Sequence, residues 1–174
     1  MTRPLLAIVT ILFISLSASA ADIKIPGKGI LPLDGKPFHP FVLKNLDGKT
    51  VDSKSLQGHW VFLHFWASWC GPCRKELPAI QRMTKIMKAA KLKIVLINTA
   101  ETEDIVFNFF GTLAVDLDTL IDTNGQLTEK YKPRGLPTTF LIDPSGKMRY
   151  IALGGQEWDK KAYIEFLHQL LKSK

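Results

Sequence analysis

The reading that decides the fold is that of Trp60-Val-Phe-Leu-His-Phe-Trp-Ala-Ser-Trp-Cys-Gly-Pro-Cys-Arg-Lys-Glu-Leu-Pro78. It holds both cysteines of the 174-residue chain, Cys70 and Cys73. Val61 to Trp66 is an apolar run of strand length, rich in β-branched and aromatic residues, as expected of a strand covered on both faces. Past Cys73 the apolar residues Leu77, Ile80, Met83 and Met87 recur three to four apart, which is helical spacing. The Cys-x-x-Cys therefore stands where a strand turns into a helix, and that context reads as a redox pair.

A thiol attacks only as its thiolate. At a helix N-terminus a sulfur meets unpaired N–H groups and the positive end of the helix dipole, and both favour the anion. Cys70 is expected there, exposed, as the attacking thiol, with Cys73 one turn later as the resolving thiol. Pro72 suits the first helical turn, where its missing N–H costs no bond. A purely structural bridge across so short a loop would remove little unfolded-state entropy. A tetrahedral metal site would need two more ligands at suitable spacing. Covalent haem attachment would need histidine where Arg74 stands.

Phe65-Trp-Ala-Ser-Trp-Cys-Gly-Pro-Cys-Arg-Lys-Glu-Leu-Pro resembles the active site of the thioredoxin superfamily, in particular that of the TlpA/ResA-like extracytoplasmic thiol–disulfide oxidoreductases. A second segment, Gly135-Leu-Pro-Thr-Thr-Phe-Leu-Ile-Asp-Pro-Ser-Gly-Lys, is similar to the family's cis-proline loop and the strand after it. The resemblance runs from about Phe38 to the C-terminus. It implies an α/β thioredoxin fold with a central mixed sheet, helices on both faces and an added N-terminal hairpin. It also implies a cis Leu136–Pro137 bond beside Cys70, with the Leu136 backbone pairing to the substrate chain. By sequence alone Pro137 is equally an ordinary first residue of a strand, where no ladder N–H is needed. Trp69 resembles the family's exposed aromatic at the substrate groove, whereas Trp66 reads as core.

Two further residues are candidates for tuning the pair. His64 occupies the position where thioredoxin has a buried Asp and TlpA/ResA-like proteins often have Asn. By strand alternation it shares a face with Phe62 and Trp66, beneath the helix. It reads either as a hydrogen-bonded core imidazole or as a base for Cys73. Glu76, one turn after Cys73, reads either as an exposed helical glutamate favoured by the dipole or as a carboxylate that exchanges a proton with a cysteine. ResA-like proteins have a glutamate at that offset.

The N-terminus stands apart. Arg3 is its one charge, Leu5 to Leu16 is apolar, and Ala18-Ser-Ala20 is a small-residue cleavage pattern, so residues 1–20 read as a secretory signal peptide, either cleaved or kept as a membrane anchor. The apolar run is shorter than the roughly 20 residues a spanning helix needs. Residues 21–37, dense in Gly, Pro and Lys, read as a tether. The thioredoxin-like domain is expected over 38–174. Export places the pair in an oxidising compartment, the periplasm or the outer face of the membrane. The net charge is +7, with scattered lysines and no basic run interleaved with aromatics, so no nucleic-acid surface is expected.

Within the domain, Phe38 to Leu46 and Thr50 to Asp52 flank Asp47-Gly48 as a hairpin. Lys93 to Asn98 reads as a buried strand and Glu101 to Leu113 as a helix with Ile105, Phe109 and Leu113 on its core stripe and Val106 and Phe110 beside it. All three phenylalanines of that helix read as core. Leu117 to Ile121 is a short strand and Gln126 to Tyr131 a helix. Thr138 to Asp143 and Met148 to Leu153 form an antiparallel pair. Asp159 caps a last helix, Lys160 to Lys172. The strand–helix alternation argues a sheet with parallel members and helices on both faces. The active-site helix is expected to run on through Pro78.

The expected function is that of an exported protein thiol–disulfide oxidoreductase needing no cofactor and no metal. Its partners would be a disulfide-bearing client protein and a membrane electron donor. The Gly-Pro spacer is that of thioredoxin, near about −270 mV against about −120 mV for a strong oxidant, which favours a reductase. Cytochrome c maturation is one client class of the family, although Lys132-Pro-Arg-Gly-Leu-Pro-Thr-Thr departs from that branch's usual loop. A copper-binding or non-catalytic adaptor is the alternative, since copper(I) accepts two thiolates.

Overall fold

The computed structural model describes residues 23–27 and 29–173. The expected signal segment, residues 1–20, lies outside them. Eight strands form one mixed sheet in the order β1-β8-β7-β4-β5-β6-β2-β3. Its centre is β4 (Trp60–Trp66), parallel to β5 (Leu92–Thr99) and antiparallel to β7 (Thr138–Ile142). Beyond β5 lie β6 (Leu120–Asp122), parallel to it, and the antiparallel pair β2 (Val42–Asn45) and β3 (Thr50–Asp52). Gly48 makes the turn between those two at φ 74°, a conformation that favours glycine. On the other side, β8 (Met148–Leu153) pairs with β7, and β1 (Ile30–Pro32) with β8.

Every residue of β4 is buried, because both of its faces are covered. Phe62 and Trp66 pack with α1 (Gly71–Ile86), α2 (Glu103–Leu113) and α4 (Lys161–Lys172). Val61, Leu63 and Phe65 pack on the opposite face with α3 (Gln126–Tyr131) and the Phe41 and Leu56 segments. This two-faced burial is what a continuous apolar run, without alternation, requires. Helix α1 runs unbroken through Pro78.

Several expectations are corrected by packing. Part of residues 21–37 is no tether: Ile30 is buried, Ile30–Pro32 adds an edge strand to β8, and the Leu33 N–H donates to Arg149. A Gly- and Pro-rich stretch can do this because an edge strand needs ladder bonds on one side only. In α2 Val106 and Phe110 are buried and Phe109 and Leu113 pack half-buried against the same core, as expected, while Ile105 and Phe107 are exposed. The helix meets the sheet through the first four of these residues, with Phe110 stacked on Trp66 and Phe109 tilted beside it, and its Ile105 and Phe107 side turns to solvent. Asp159 does not cap α4. Its carboxylate instead takes the Arg82 guanidinium at 2.7 Å, and Lys160 stands at the cap. Strand β6 is shifted to Leu120–Asp122, where the Asp122 carboxylate accepts the Leu127 and Thr128 N–H groups at the start of α3.

Candidate active site

The C-terminal end of β4 delivers the chain to Cys70, the N-cap of α1. Cys70 and Cys73 are joined as a disulfide with Cα atoms 5.2 Å apart. The Cys73 N–H points at the Cys70 sulfur, 3.2 Å away. In the reduced protein that donor and the start of the helix would hold a Cys70 thiolate. Cys70 is not exposed as expected: it is 5% accessible and Cys73 is 0%. The bridge draws the first sulfur back over the end of the helix and into the core cluster that holds the second. Trp69, at 68%, carries the exposure instead.

The Leu136–Pro137 bond is cis, and Leu136 packs against the cluster that includes both cysteines. Strand β7 follows directly and sets Thr139 opposite His64 in the ladder. The His64 ring is fully buried, stacked near Phe62, with Nδ1 2.9 Å from the Thr139 hydroxyl. Burial alone pulls its pKa down to about 3, so the ring is neutral.

Glu76 is not an exposed helical glutamate. It is 3% accessible, and burial pushes its carboxyl up to about 8 against the pull of two donors. Those donors are the Gln156 backbone N–H at 3.0 Å and the Trp158 indole N–H, both to Oε1. The loop they belong to, between β8 and α4, lies against the first turn of α1, where a Cβ on Gly155 would stand 3.5 Å from the Pro72 carbonyl. A groove of about 460 Å³ runs between the two and reaches Glu76. Glu76 thus stands on the disulfide helix itself, in an enclosure that favours its uncharged form.

The structure brings Cys70, Cys73, Glu76, His64 and Leu136 into or against one core cluster and leaves Trp69 at its rim. Sequence reasoning missed the partners that complete the site. Trp158 and Gln156 are eighty residues or more from Glu76 and carry no local signal. Thr139 is legible only once the β4–β7 register is known. A second buried carboxylate was also missed: Glu101 receives the Ser68 N–H and the Asn98 amide, each at 2.7 Å, and the Ser68 hydroxyl. It ties the loop before Cys70 to the end of β5. A glutamate just after a buried strand with Asn98 near its end was the available hint. Among the described residues no three His, Cys, Asp or Glu side chains converge as a metal site, and no helix is long and apolar enough to cross a membrane.

Comparison with known proteins agrees with this geometry. The AhpC/TSA family model matches residues 35–151. Thiol-disulfide oxidoreductase ResA of Bacillus subtilis is 37% identical over 70% of this chain and 68% of its own length. A solved structure assigned as thiol:disulfide interchange protein DsbE from Chlorobium tepidum superposes with TM-score 0.70 at 33% identity, covering 79% of this chain and 96% of that one. StoA from Bacillus subtilis gives TM-score 0.61 at 27% identity, over 70% and 92% of the two chains. With its disulfide at the head of a helix on a mixed sheet, the chain belongs to the AhpC/TSA family and is a thioredoxin-fold thiol–disulfide oxidoreductase.

Proposed function

We propose that this protein is an exported reductase of protein disulfides. Cys70, as a thiolate, attacks a disulfide of the client, forming a mixed disulfide and releasing one client thiol. Cys73 then attacks the Cys70 sulfur, closing the internal disulfide and releasing the second thiol. Glu76 exchanges the proton of Cys73, and His64 supports it. Exposed Trp69 and the backbone at Leu136 receive the client chain. A membrane reductase returns the pair to the dithiol. The leader-like residues 1–20 support an extracytoplasmic location; whether that leader is cut or kept as an anchor does not alter the chemistry.

The observation that carries the reading is the position of Cys70 as N-cap, with the Cys73 N–H aimed at its sulfur and Trp69 exposed beside it. Insulin reduction with dithiothreitol as donor, without metal, tests it. Turnover should be lost in Cys70→Ala, and Cys73→Ala should accumulate a mixed disulfide on Cys70 that mass spectrometry detects. A mixed disulfide on Cys73 in Cys70→Ala, and none on Cys70 in Cys73→Ala, reverses the two roles. The direction is set by equilibrium in glutathione buffers: a potential near about −270 mV supports a reductase, and one near about −120 mV an oxidant.

A further inference from the structure

Two buried atoms, one on the disulfide helix and one on β4, lack a hydrogen-bond partner, and they face each other. They are Nε2 of His64 and Oε2 of Glu76, 3.7 Å apart. Burial lowers the imidazole pKa and raises that of the carboxyl, so the enclosure favours the uncharged form of each. The carboxyl then carries one proton. Oε1 already accepts two N–H groups, so the proton belongs on Oε2, the oxygen turned toward His64. On the far side of the ring, Nδ1 meets the Thr139 hydroxyl, which can accept or donate.

We propose that His64 is a neutral tautomeric switch whose single ring proton follows the charge of Glu76, with Thr139 as its reversible partner. While Glu76 is an acid, Nδ1–H donates to Thr139, and the bare Nε2 faces Oε2–H across 3.7 Å. When Glu76 is ionised, the ring proton is on Nε2, facing Oε2, and Thr139 turns its O–H to donate to Nδ1. The imidazole holds one proton in both states, so the carboxylate is the only charge the pair gains. An asparagine here would have to turn its amide over inside a packed core to do the same.

His64 is then a positioning residue acting through Glu76, and its use rests on the reading of Glu76 as the proton exchanger of Cys73. When a donor thiolate attacks Cys70, the new bond joins the donor sulfur to Cys70 and the Cys70–Cys73 bond breaks. Its electron pair leaves on Cys73, which takes the Oε2 proton and becomes a thiol. Glu76 remains as a carboxylate and recovers its proton from water in the groove past Gly71 and Lys75. Around the pair stand Cys70 and Cys73 within the same core cluster, Lys75 and Glu157 in the groove, and Tyr163 of α4. The Tyr163 phenol is raised by burial and then by Glu157 and Glu76. From β4 and β7 come His64 and Thr139 themselves.

Nitrogen NMR of isotope-labelled histidines in the oxidised protein tests the switch, His64 being assigned by its absence in His64→Gln. The Nδ1–H tautomer should dominate at neutral pH and give way to Nε2–H with a midpoint near 8. That midpoint should coincide with loss of the Glu76 protonated-carboxyl infrared band. Glu76→Gln should abolish the flip. One tautomer across the whole titration, a doubly protonated ring at neutral pH, or a flip that survives in Glu76→Gln would overturn the inference. The wild-type titration stands alone if a variant does not fold. The underlying reading fails separately: a Cys73-dependent step whose pH profile is unchanged in Glu76→Gln removes Glu76 from catalysis while leaving the switch in place.

Discussion

Glu76 and Asp143 are both enclosed carboxylates, 3% and 8% accessible, the first on α1 facing His64 and the second just past the end of β7. Burial pushes each pKa up, yet they end on opposite sides of the ordinary range. At Asp143, hydrogen bonds from Ser145, Lys147 and Arg149 and the Arg149 charge outweigh burial and hold the carboxyl low. At Glu76, two neutral donors share one oxygen, the other oxygen has none, and the carboxyl rises to about 8. The difference lies in donors and countercharge rather than in depth. One carboxylate is spent on closing a turn, and the other keeps one oxygen without a donor.

The largest expected effect separates the two by rate. Glu76→Gln should slow the Cys73-dependent step by about 10²-fold near neutral pH, the usual worth of a positioned acid or base. Asp143→Asn should leave that rate unchanged. Stopped-flow reaction of the reduced protein with an aromatic disulfide reads both thiols as successive phases, and equal slowing in the two variants would erase the distinction.

Next is the pH dependence of stability, followed by urea unfolding with the disulfide intact. His64, lowered from 6.5 to about 3, leaves the unfolded chain binding more protons between those values, so stability rises with pH across that window. Glu76, raised from 4.5 to about 8, leaves the folded chain binding more protons, so stability falls with pH across its window. Each slope is about 1.4 kcal/mol per pH unit, and they oppose each other where the windows overlap. A plateau from 4.5 to 6.5 is expected, falling away on both sides. Glu76→Gln should remove the alkaline fall. Asp143 acts the other way from Glu76: its stabilisation is present above 3.8 and lost as pH falls through its depressed folded value.

Asp143→Asn should cost about 1–2 kcal/mol at neutral pH, for weakened bonds to Arg149 and the turn. A cost near zero would mean the turn closes without the charge. The smallest expected change is in Trp69→Ala: less than about 0.5 kcal/mol of stability, because the ring is solvent-exposed, with a raised KM for a protein client.

Much of the fold was legible because hydrophobic periodicity is local. The β4–α1 junction, the β7–β8 pair, the Asp47-Gly48 turn and α3 could all be read from spacing and turn chemistry. What was misread depended on contacts distant in sequence. Ile30–Pro32 is a strand only because β8 offers an open edge, and Asp159 leaves the α4 cap because Arg82 lies within reach. Phe107 looked like core by composition and is 70% exposed, because α2 touches the sheet along one stripe. The same holds at the site. Cys70 and Cys73 were evident from three residues of spacing, but the burial of Glu76 required a tryptophan and a backbone amide from beyond β8.

The amino-acid sequence by itself determined where the cysteine pair stands, since a pair at the start of a helix needs only a strand, a turn and a coil that are neighbours along the chain. Tertiary structure alone decided what surrounds the ionisable groups. The charge state of His64 and Glu76 depends on how much water and how many donors surround them, and those come from β7, the loop after β8 and α4. Solvation is a property of the assembled core, and the separate segments do not carry it.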